Sequence, residues 1–219
     1  MRTRNSGITL VELLIVIAII SVLAGLLFPV FASAKRSAYG SQCISNLNQL
    51  TVATLLYSGD SEDVLPYGAD PIVKSEIADA PTCFTDDQKS TLAAMPSLKD
   101  LLAKYGASPT QWQCPLDEID PVHGVADGRN MPSWYAQDGS SYVFDDIEAL
   151  SSPTLSSVGD TSSHLLASDE EAFHGGGDHT DPQSIAAEGR VNCAFFDGHT
   201  KSASVATVGA YVKAEGCWF

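Results

Sequence analysis

Glu12 is the only charged residue in the otherwise apolar segment Ile8–Val30. A carboxylate inside a membrane helix costs a few kcal/mol, so it usually has a partner and a function. Glu12 lies one helical turn after Ile8, and the small, flexible Gly7 before Ile8 suits a protease. If the chain is cut between them, the new α-amine is a natural counter-charge for Glu12, in the same chain or a neighbouring one. The alternative is a charge tolerated at the level of the lipid head groups.

A second group of residues with ligand chemistry lies towards the C-terminus, where segment 168–181 is acidic and glycine-rich. Carboxylate oxygens are the ligands that Ca²⁺ prefers, and the candidates are Asp169, Glu170, Asp178, Asp181 and Asp197. The five histidines follow no zinc-binding pattern, and the chain has neither an H-E-x-x-H nor a G-x-S-x-G motif. We therefore expect no catalytic site, and either a structural calcium site or a solvated acidic loop.

Five cysteines are spread widely over the chain: Cys43, Cys83, Cys114, Cys193 and Cys217. None forms a C-x-x-C pair, which argues against a zinc ribbon or a thioredoxin-like site. In an exported domain one or two disulfides are expected, and an odd number leaves at least one thiol free or paired between chains. The spacing leaves the pairing open, and the alternative for each cysteine is a small buried side chain.

The first element that must position these residues is the apolar segment itself. A helix of about 20 residues spans the hydrocarbon core of a bilayer, and a secretory signal has a shorter apolar region followed by a small-residue cleavage site. We therefore expect a leader at 1–7 and a retained transmembrane helix at 8–30. Two basic residues precede the segment and two follow it, so charge alone gives little orientation. The short leader favours a cytoplasmic N-terminus and an exported head.

The charge of the chain excludes one class of partner. It has 12 Lys and Arg against 27 Asp and Glu, a net charge of −15, and all but one of the acidic residues follow Lys35. Nucleic-acid binding needs a basic patch, so we expect no nucleic-acid partner. The acidity is typical of a soluble exported domain.

After Pro29 the helical pattern continues but changes character. Apolar and small residues recur every three to four positions, as in an amphipathic helix: Ala32, Ala34, Ala38, Ile44, Leu47, Leu50, Thr54 and Tyr57. We expect an amphipathic continuation over 31–58, with its apolar side against a head formed by 59–219. Pro29 and Gly40 weaken the helix and predict a bend, and Ser58–Asp63 ends it.

Within the head, local signals predict short elements. We expect a loop over Val64–Pro81, a helix over Ser97–Tyr105 that is capped by its first residue and stopped by Gly106, and strands at Ser141–Ile147 and Ser163–Ser168.

The strongest local signal is Asp197-Gly198, between the alternating segments of Arg190–Val205. Asp-Gly is typical of a two-residue hairpin turn, because both residues tolerate positive φ. The alternation places two sets of residues on opposite faces, Val191, Cys193 and Phe195 on one and Asn192, Ala194 and Phe196 on the other. The fold class is therefore α+β, a long N-terminal helix packed on a small antiparallel sheet.

The N-terminal segment SGITLVELLIVIAIISVLAGLLFPVF resembles type IV prepilins and the pseudopilins of type II secretion systems. The match covers a short basic leader, Gly7 at the cleavage position, the hydrophobic Ile8 after it, Glu12 at the acidic position and Pro29 at a helix-kinking position. The resemblance implies that a prepilin peptidase cuts after Gly7 and N-methylates Ile8. It also implies that Glu12 pairs with the N-terminus of a neighbouring subunit in a filament.

The same resemblance implies partners and a location. The partners would be identical or related pilin subunits, the prepilin peptidase, an inner-membrane platform protein with its assembly ATPase, and membrane lipid before assembly. The chain would cross the inner membrane once, with its head in the periplasm or outside the cell. Major pseudopilins bind Ca²⁺ in a C-terminal loop, so the acidic segment around Asp178 would be the corresponding place.

A second resemblance concerns the head. The segments Cys43–Leu50, Cys114–Asp117 and Arg190–Ser202 are similar to a bacterial pilin-like family that ends in a histidine followed about ten residues later by Asp-Gly. Here His174 and His179 both lie further from Asp-Gly than that pattern, with DPQSIAAEG inserted between.

Two classes of function follow. The first is a structural subunit, a pilin or pseudopilin, of a type IV pilus or type II secretion-like filament. The second is a membrane-anchored, exported binding or metal-dependent module that does not polymerise. Glu12 separates them, because only the first needs its carboxylate for assembly.

Overall fold

The computed structural model describes residues 9–76, 85–117, 133–145, 154–170, 172, 174–175 and 188–208. The chain divides into two compact units, residues 1–38 and residues 39–219. Helix α1, Leu10–Asp60, contributes to both units.

In the first unit, α1 exposes its apolar side chains all round. The large hydrophobic residues from Leu10 to Phe31 are exposed, and the helix is long and apolar enough to cross a membrane. It runs through Pro29 without interruption. A helix that is apolar on every side suits a lipid environment, so this part of α1 fits the predicted transmembrane segment.

In the second unit, α1 is amphipathic and packs into the head. The predicted residues Leu47, Leu50 and Thr54 are buried. Ala32, Ala34 and Ala38 belong to the first unit, so the part of the predicted stripe that begins at Ala32 stays a prediction.

The end of α1 was predicted correctly. The helix finishes at Asp60, and the chain then turns through Glu62 and Asp63, both at positive φ. The Asp63 N–H donates to the Ser58 carbonyl at 2.9 Å. This bond satisfies one of the carbonyls that a helix end leaves without an intrahelical partner.

In the part of the chain that the structure describes, four short helices follow: α2, Pro71–Glu76; α3, Asp86–Ala94; α4, Leu98–Leu102; and α5, Trp134–Asp138. Short 3₁₀ segments lie at Ala103–Tyr105, Pro109–Trp112 and Leu155–Ser157. Helix α2 lies in the stretch predicted as a loop, and α3, which begins with a Thr85–Gln88 capping box, was not anticipated. Both helices are too short for helical periodicity to stand out.

The helix predicted at Ser97–Tyr105 is present as α4 and its 3₁₀ extension. Ser97 occupies the cap position but makes no side-chain capping bond. Gly106 ends the segment at φ +94°, as predicted. Glycine is favoured there because it has no Cβ to clash in the left-handed region.

Among the described residues, five antiparallel strands form one sheet: β1, Tyr142–Phe144; β2, Leu165–Asp169; β3, His174–Gly175; β4, Gly189–Phe195; and β5, Thr200–Ser204. Strand β4 is central, since it pairs with β2, β3 and β5. Strands β1 and β2 overlap the two predicted strands, while Ile147 lies outside the described residues.

The two faces of β4 bury different sets of residues, as the alternation predicted. Ala194 and Phe196 join the main core with Leu47 and Leu50 of α1. On the other face, Val191, Cys193 and Phe195 pack with Leu165 and Ala203 in a second, smaller buried cluster.

The β4–β5 turn differs from the predicted two-residue loop. Phe195 N–H donates to the His199 carbonyl at 3.0 Å, which leaves three residues, Phe196 to Gly198, in the loop. Only Gly198 has positive φ, at +91°. A three-residue hairpin with glycine in the left-handed region is the next most common solution for such a connection.

Candidate functional sites at the helix start and in the head

The first candidate site is the start of α1. Gly7 and Ile8 lie outside the described residues. Glu12 is in the first turn, and its Oε2 accepts from the backbone N–H and the hydroxyl of Thr9, each at 2.8 Å. The Glu12 N–H donates back to Thr9 Oγ1 at 3.3 Å.

This reciprocal pattern is a capping box, in which two residues at the helix start satisfy each other's backbone donors. The sequence contains the signature of such a box, Thr9 followed three residues later by Glu12, but the box was not predicted from it. A negative charge is also favoured there by the helix dipole. The carboxylate therefore has a partner within its own chain, in addition to the terminal amine that its position predicts.

The second candidate site begins with a disulfide. Cys43 on α1 is bonded to Cys114, with the Cα atoms 4.8 Å apart, and both residues are fully buried. Cys193 is a buried free thiol, and burial raises its pKa to about 12. Cys83 and Cys217 lie outside the described residues.

His174 lies against this disulfide. Its Nε2 is 3.9 Å from Cys114 Sγ, 2.8 Å from Asn192 Nδ2 and 3.1 Å from Asp169 Oδ2. The β3–β4 pairing places His174 opposite Arg190. The histidine therefore lies beside β4, the strand that leads into Asp197-Gly198, although the DPQSIAAEG insertion separates the two in sequence. On its other side the ring lies over Gly40, where a Cβ would be 3.4 Å from Nδ1.

Asp169 anchors this cluster to the sheet. Its Oδ2 accepts from the Asn192 backbone N–H at 2.6 Å, whereas its buried Oδ1 accepts no hydrogen bond from the described residues. Burial raises the pKa of the Asp169 carboxyl, and the neighbouring His174 opposes that shift. The cluster thus combines two sulfurs, an imidazole and a carboxylate in one buried place.

Asp117 is a further buried carboxylate that the sequence did not single out. It accepts from Trp134 N–H at 3.0 Å, Tyr135 N–H at 2.8 Å and Ser141 Oγ at 2.6 Å. The Ser141 hydroxyl in turn accepts from Cys114 N–H at 3.0 Å. Burial raises the pKa of Asp117. This carboxylate fixes the start of α5 to the backbone beside the disulfide.

The predicted calcium ligands fall in separate places. Asp169 belongs to the buried cluster, and Glu170 follows it at the end of β2. Asp197 lies in the β4–β5 turn, where its Oδ1 contacts His199 Nδ1 at 2.5 Å. Asp178 and Asp181, like His179, are outside the described residues. Across the described ranges, the one group of three metal-ligating side chains is Cys43, Cys114 and His174.

In a comparison with known families, residues 2–28 match the prokaryotic N-terminal methylation motif. Neither the curated proteins nor the solved structures give a match to this chain. The match covers the predicted cleavage position, Glu12 and most of the transmembrane segment. It supports a prepilin or pseudopilin relationship for the N-terminal segment and a methylated, membrane-anchoring helix.

Proposed function

We propose that this chain is a structural subunit, a pilin or pseudopilin, of a type IV pilus or a type II secretion-like filament. The observation that carries the proposal is the methylation motif over 2–28, which includes the first part of the 51-residue helix α1. An α+β head built on the C-terminal part of the helix supports the same conclusion. The role is architectural, and we propose no catalytic activity.

In this proposal the chain is first a single-pass protein of the inner membrane. A prepilin peptidase cuts after Gly7 and methylates the amine of Ile8. A platform protein and an assembly ATPase then transfer the subunit from membrane lipid into a filament of identical or related subunits. The acidic head faces the periplasm or the outside of the cell, and the filament has no nucleic-acid partner.

Glu12 has two roles in this scheme, and the capping box accounts for the first. While the subunit is in the membrane, the donors of Thr9 satisfy the carboxylate, which lowers the cost of burying it. Thr9 follows Ile8, so cleavage after Gly7 leaves this cap in place. During assembly the same carboxylate attracts the methylated amine of a neighbouring subunit.

Replacing Glu12 with leucine tests the assembly role. We expect Glu12→Leu chains to insert into the membrane normally but to be lost from filaments, because the neighbour's amine then has no counter-charge. Thr9→Ala is the matched control, since it removes the two capping bonds of the Thr9 hydroxyl and keeps the carboxylate; it should still assemble. Filament and membrane fractions are compared by immunoblotting. Glu12→Leu subunits that assemble at normal levels would leave the filament proposal without its main support.

Mass spectrometry of the chain from its native host tests processing. The N-terminal peptide should begin with monomethylated Ile8, and a Gly7→Leu variant should keep Met1, since the cleavage position needs a small residue. A native chain that begins at Met1 would contradict the proposal.

A membrane-anchored module that does not polymerise is the second candidate. The observation that favours it is the buried group of Cys43, Cys114 and His174, which a purely architectural head does not need. Such a protein would show a processed N-terminus and no Glu12-dependent filament.

We also propose that the acidic segment around Asp178 holds a structural Ca²⁺ ion. Thermal melting with and without a calcium chelator tests this. A lower melting temperature in chelator supports the site, and an unchanged one excludes it.

A further inference from the structure

Ligand-type atoms converge on the Nε2 atom of His174. Ligand atoms of Cys43, Cys114 and His174 all lie within 4.8 Å of one another, and the three residues are buried. They come from α1, from the loop that ends at Cys114 and from β3, so the fold and not local sequence brings them together.

The polar groups around this nitrogen exceed what it can bond. An imidazole nitrogen makes one hydrogen bond, either as donor or as acceptor. Here Asn192 Nδ2, Asp169 Oδ2 and Cys114 Sγ all approach it, at 2.8, 3.1 and 3.9 Å. Close by, the buried Asp169 Oδ1 accepts no hydrogen bond from the described residues. Such an unsatisfied buried oxygen is rare and costly unless an ion or another group uses it.

We propose that the reduced head binds a zinc-class divalent cation through Cys43, Cys114 and His174, with Asp169 as the oxygen donor at the fourth position. The metal-bound form and the disulfide are alternative states of the same pair of sulfurs. This inference goes beyond the filament role and does not depend on it.

The distances suit a tetrahedral centre. Zinc bonds of about 2.3 Å to sulfur and about 2.0 Å to nitrogen place those two ligand atoms about 3.6 Å apart, and Cys114 Sγ to His174 Nε2 is 3.9 Å. Nitrogen and oxygen ligands lie about 3.4 Å apart in such a centre, and His174 Nε2 to Asp169 Oδ2 is 3.1 Å. To admit the ion, the sulfurs must separate by rotation of the Cys43 and Cys114 side chains, and the Asn192 amide, which lies 2.8 Å from Nε2, must turn away.

Charge and softness determine the kind of ion. Thiolates select zinc-class ions over Ca²⁺ and Mg²⁺. Two thiolates neutralise a divalent cation, and the Asp169 carboxylate, a hard ligand that zinc also accepts, leaves the centre with a net charge of about −1. The ion therefore removes most of the charge of about −3 that the two thiolates and the carboxylate would otherwise place in a buried site.

The chemistry balances in both directions. The chain is synthesised with thiols, and the two thiols release two protons when they bind one Zn²⁺. In exchange with an external disulfide oxidant, the two thiolates form the Cys43–Cys114 bond, the oxidant's disulfide takes up the two electrons and becomes two thiolates, and the cation is released. In the laboratory a phosphine reverses the oxidation: it takes the oxygen of one water to become the phosphine oxide, and the disulfide becomes two thiols.

Cobalt titration of the full chain in detergent tests the site. A Cys83→Ser, Cys217→Ser background is reduced anaerobically with a phosphine, the phosphine is removed, and Co²⁺ is added. We expect thiolate-to-cobalt charge-transfer and tetrahedral d–d bands that saturate at one ion per chain and disappear on adding Zn²⁺. The oxidised protein should show neither band.

Variants in the same background assign the ligands. Cys43→Ser and Cys114→Ser should lose the charge-transfer band or halve it, and His174→Gln should bind cobalt at least about 10-fold more weakly. Cys193→Ser is the matched control, because this buried thiol packs on the other face of β4; its bands should be unchanged. Bands that depend on Cys193 and not on Cys43 or Cys114 would overturn the assignment.

A second measurement needs no ligand variant, so it holds even if those variants fold poorly. Zn²⁺ should slow alkylation of Cys43 and Cys114 in the reduced protein, as mapped by mass spectrometry, and leave that of Cys193 unchanged. Equal alkylation rates with and without Zn²⁺, in protein whose thiol count shows full reduction, would overturn the proposal.

Discussion

At the scale of single residues, the two candidate sites are built from contacts of different range along the chain. Thr9 and Glu12 are three positions apart, so their capping box could be found by inspection. His174 meets Cys114 and Asn192 only because β3 and the loop before Cys114 come together in the fold. No spacing rule predicts such contacts, because the chain between them passes through other elements.

Asp169 makes stability depend on pH. Burial raises the pKa of the Asp169 carboxyl in the folded head above 3.8, its ordinary value in an unfolded chain. Between pH 3.8 and the raised pKa, the folded chain therefore binds more protons than the unfolded chain. Stability therefore falls as pH rises through this window. Asp169→Asn keeps an oxygen for the Asn192 N–H and removes the titration. Urea unfolding between pH 4 and 7 should show a smaller decline in the variant, and an identical decline would exclude Asp169 as its source.

At the scale of elements, strong periodicity gave reliable predictions, and turn residues located the turns without fixing their length. Helix α1 and the two faces of β4 follow from patterns that extend over many residues. The short α2 and α3 were missed because fewer than three turns give too few positions for a pattern. The length of the β4–β5 turn was wrong because Asp-Gly fits both two- and three-residue hairpins, and the choice depends on how the flanking strands pair.

Gly198 tests the observed turn. Its φ of +91° disfavours any residue with a Cβ, and an added Cβ would lie 3.1 Å from Leu55 Cδ1. Gly198→Ala should therefore lower the free energy of unfolding by about 1–2 kcal/mol. The control is Gly59→Ala near the end of α1, where nothing lies within 4 Å of the added Cβ; it should be neutral or stabilising by up to about 1 kcal/mol. Equal effects in urea unfolding would contradict this reading of the turn.

At the scale of the whole chain, the sequence predicted one anchoring helix and one α+β head, and both are present. It left the disulfide pairing open, and the fold pairs Cys43 with Cys114 across 71 residues. The information that selects this pair is the packing of the loop before Cys114 against α1. That packing depends on buried residues such as Trp112 and Tyr142, which no local pattern assigns to a common core.

Removing this bond should affect the head as a unit. A cross-link over a long loop stabilises mainly by restricting the unfolded chain, typically by about 2–5 kcal/mol. The Cys43→Ser, Cys114→Ser double variant should lose stability in this range, and Cys193→Ser should lose less. Thermal melting under non-reducing conditions measures both. A double variant as stable as the parent would show that the cross-link adds nothing to the fold.

The position of Cys43 also determines how the head carries mechanical load. Tension applied through the N-terminal part of α1 reaches a covalent cross-link at Cys43, well before the helix ends at Asp60. Beyond that point the force is shared between the helix backbone and the loop that ends at Cys114. The last turns of α1 can then be shielded from peeling off the sheet, so the oxidised head resists stretching along the helix in a way that a head held only by noncovalent packing does not.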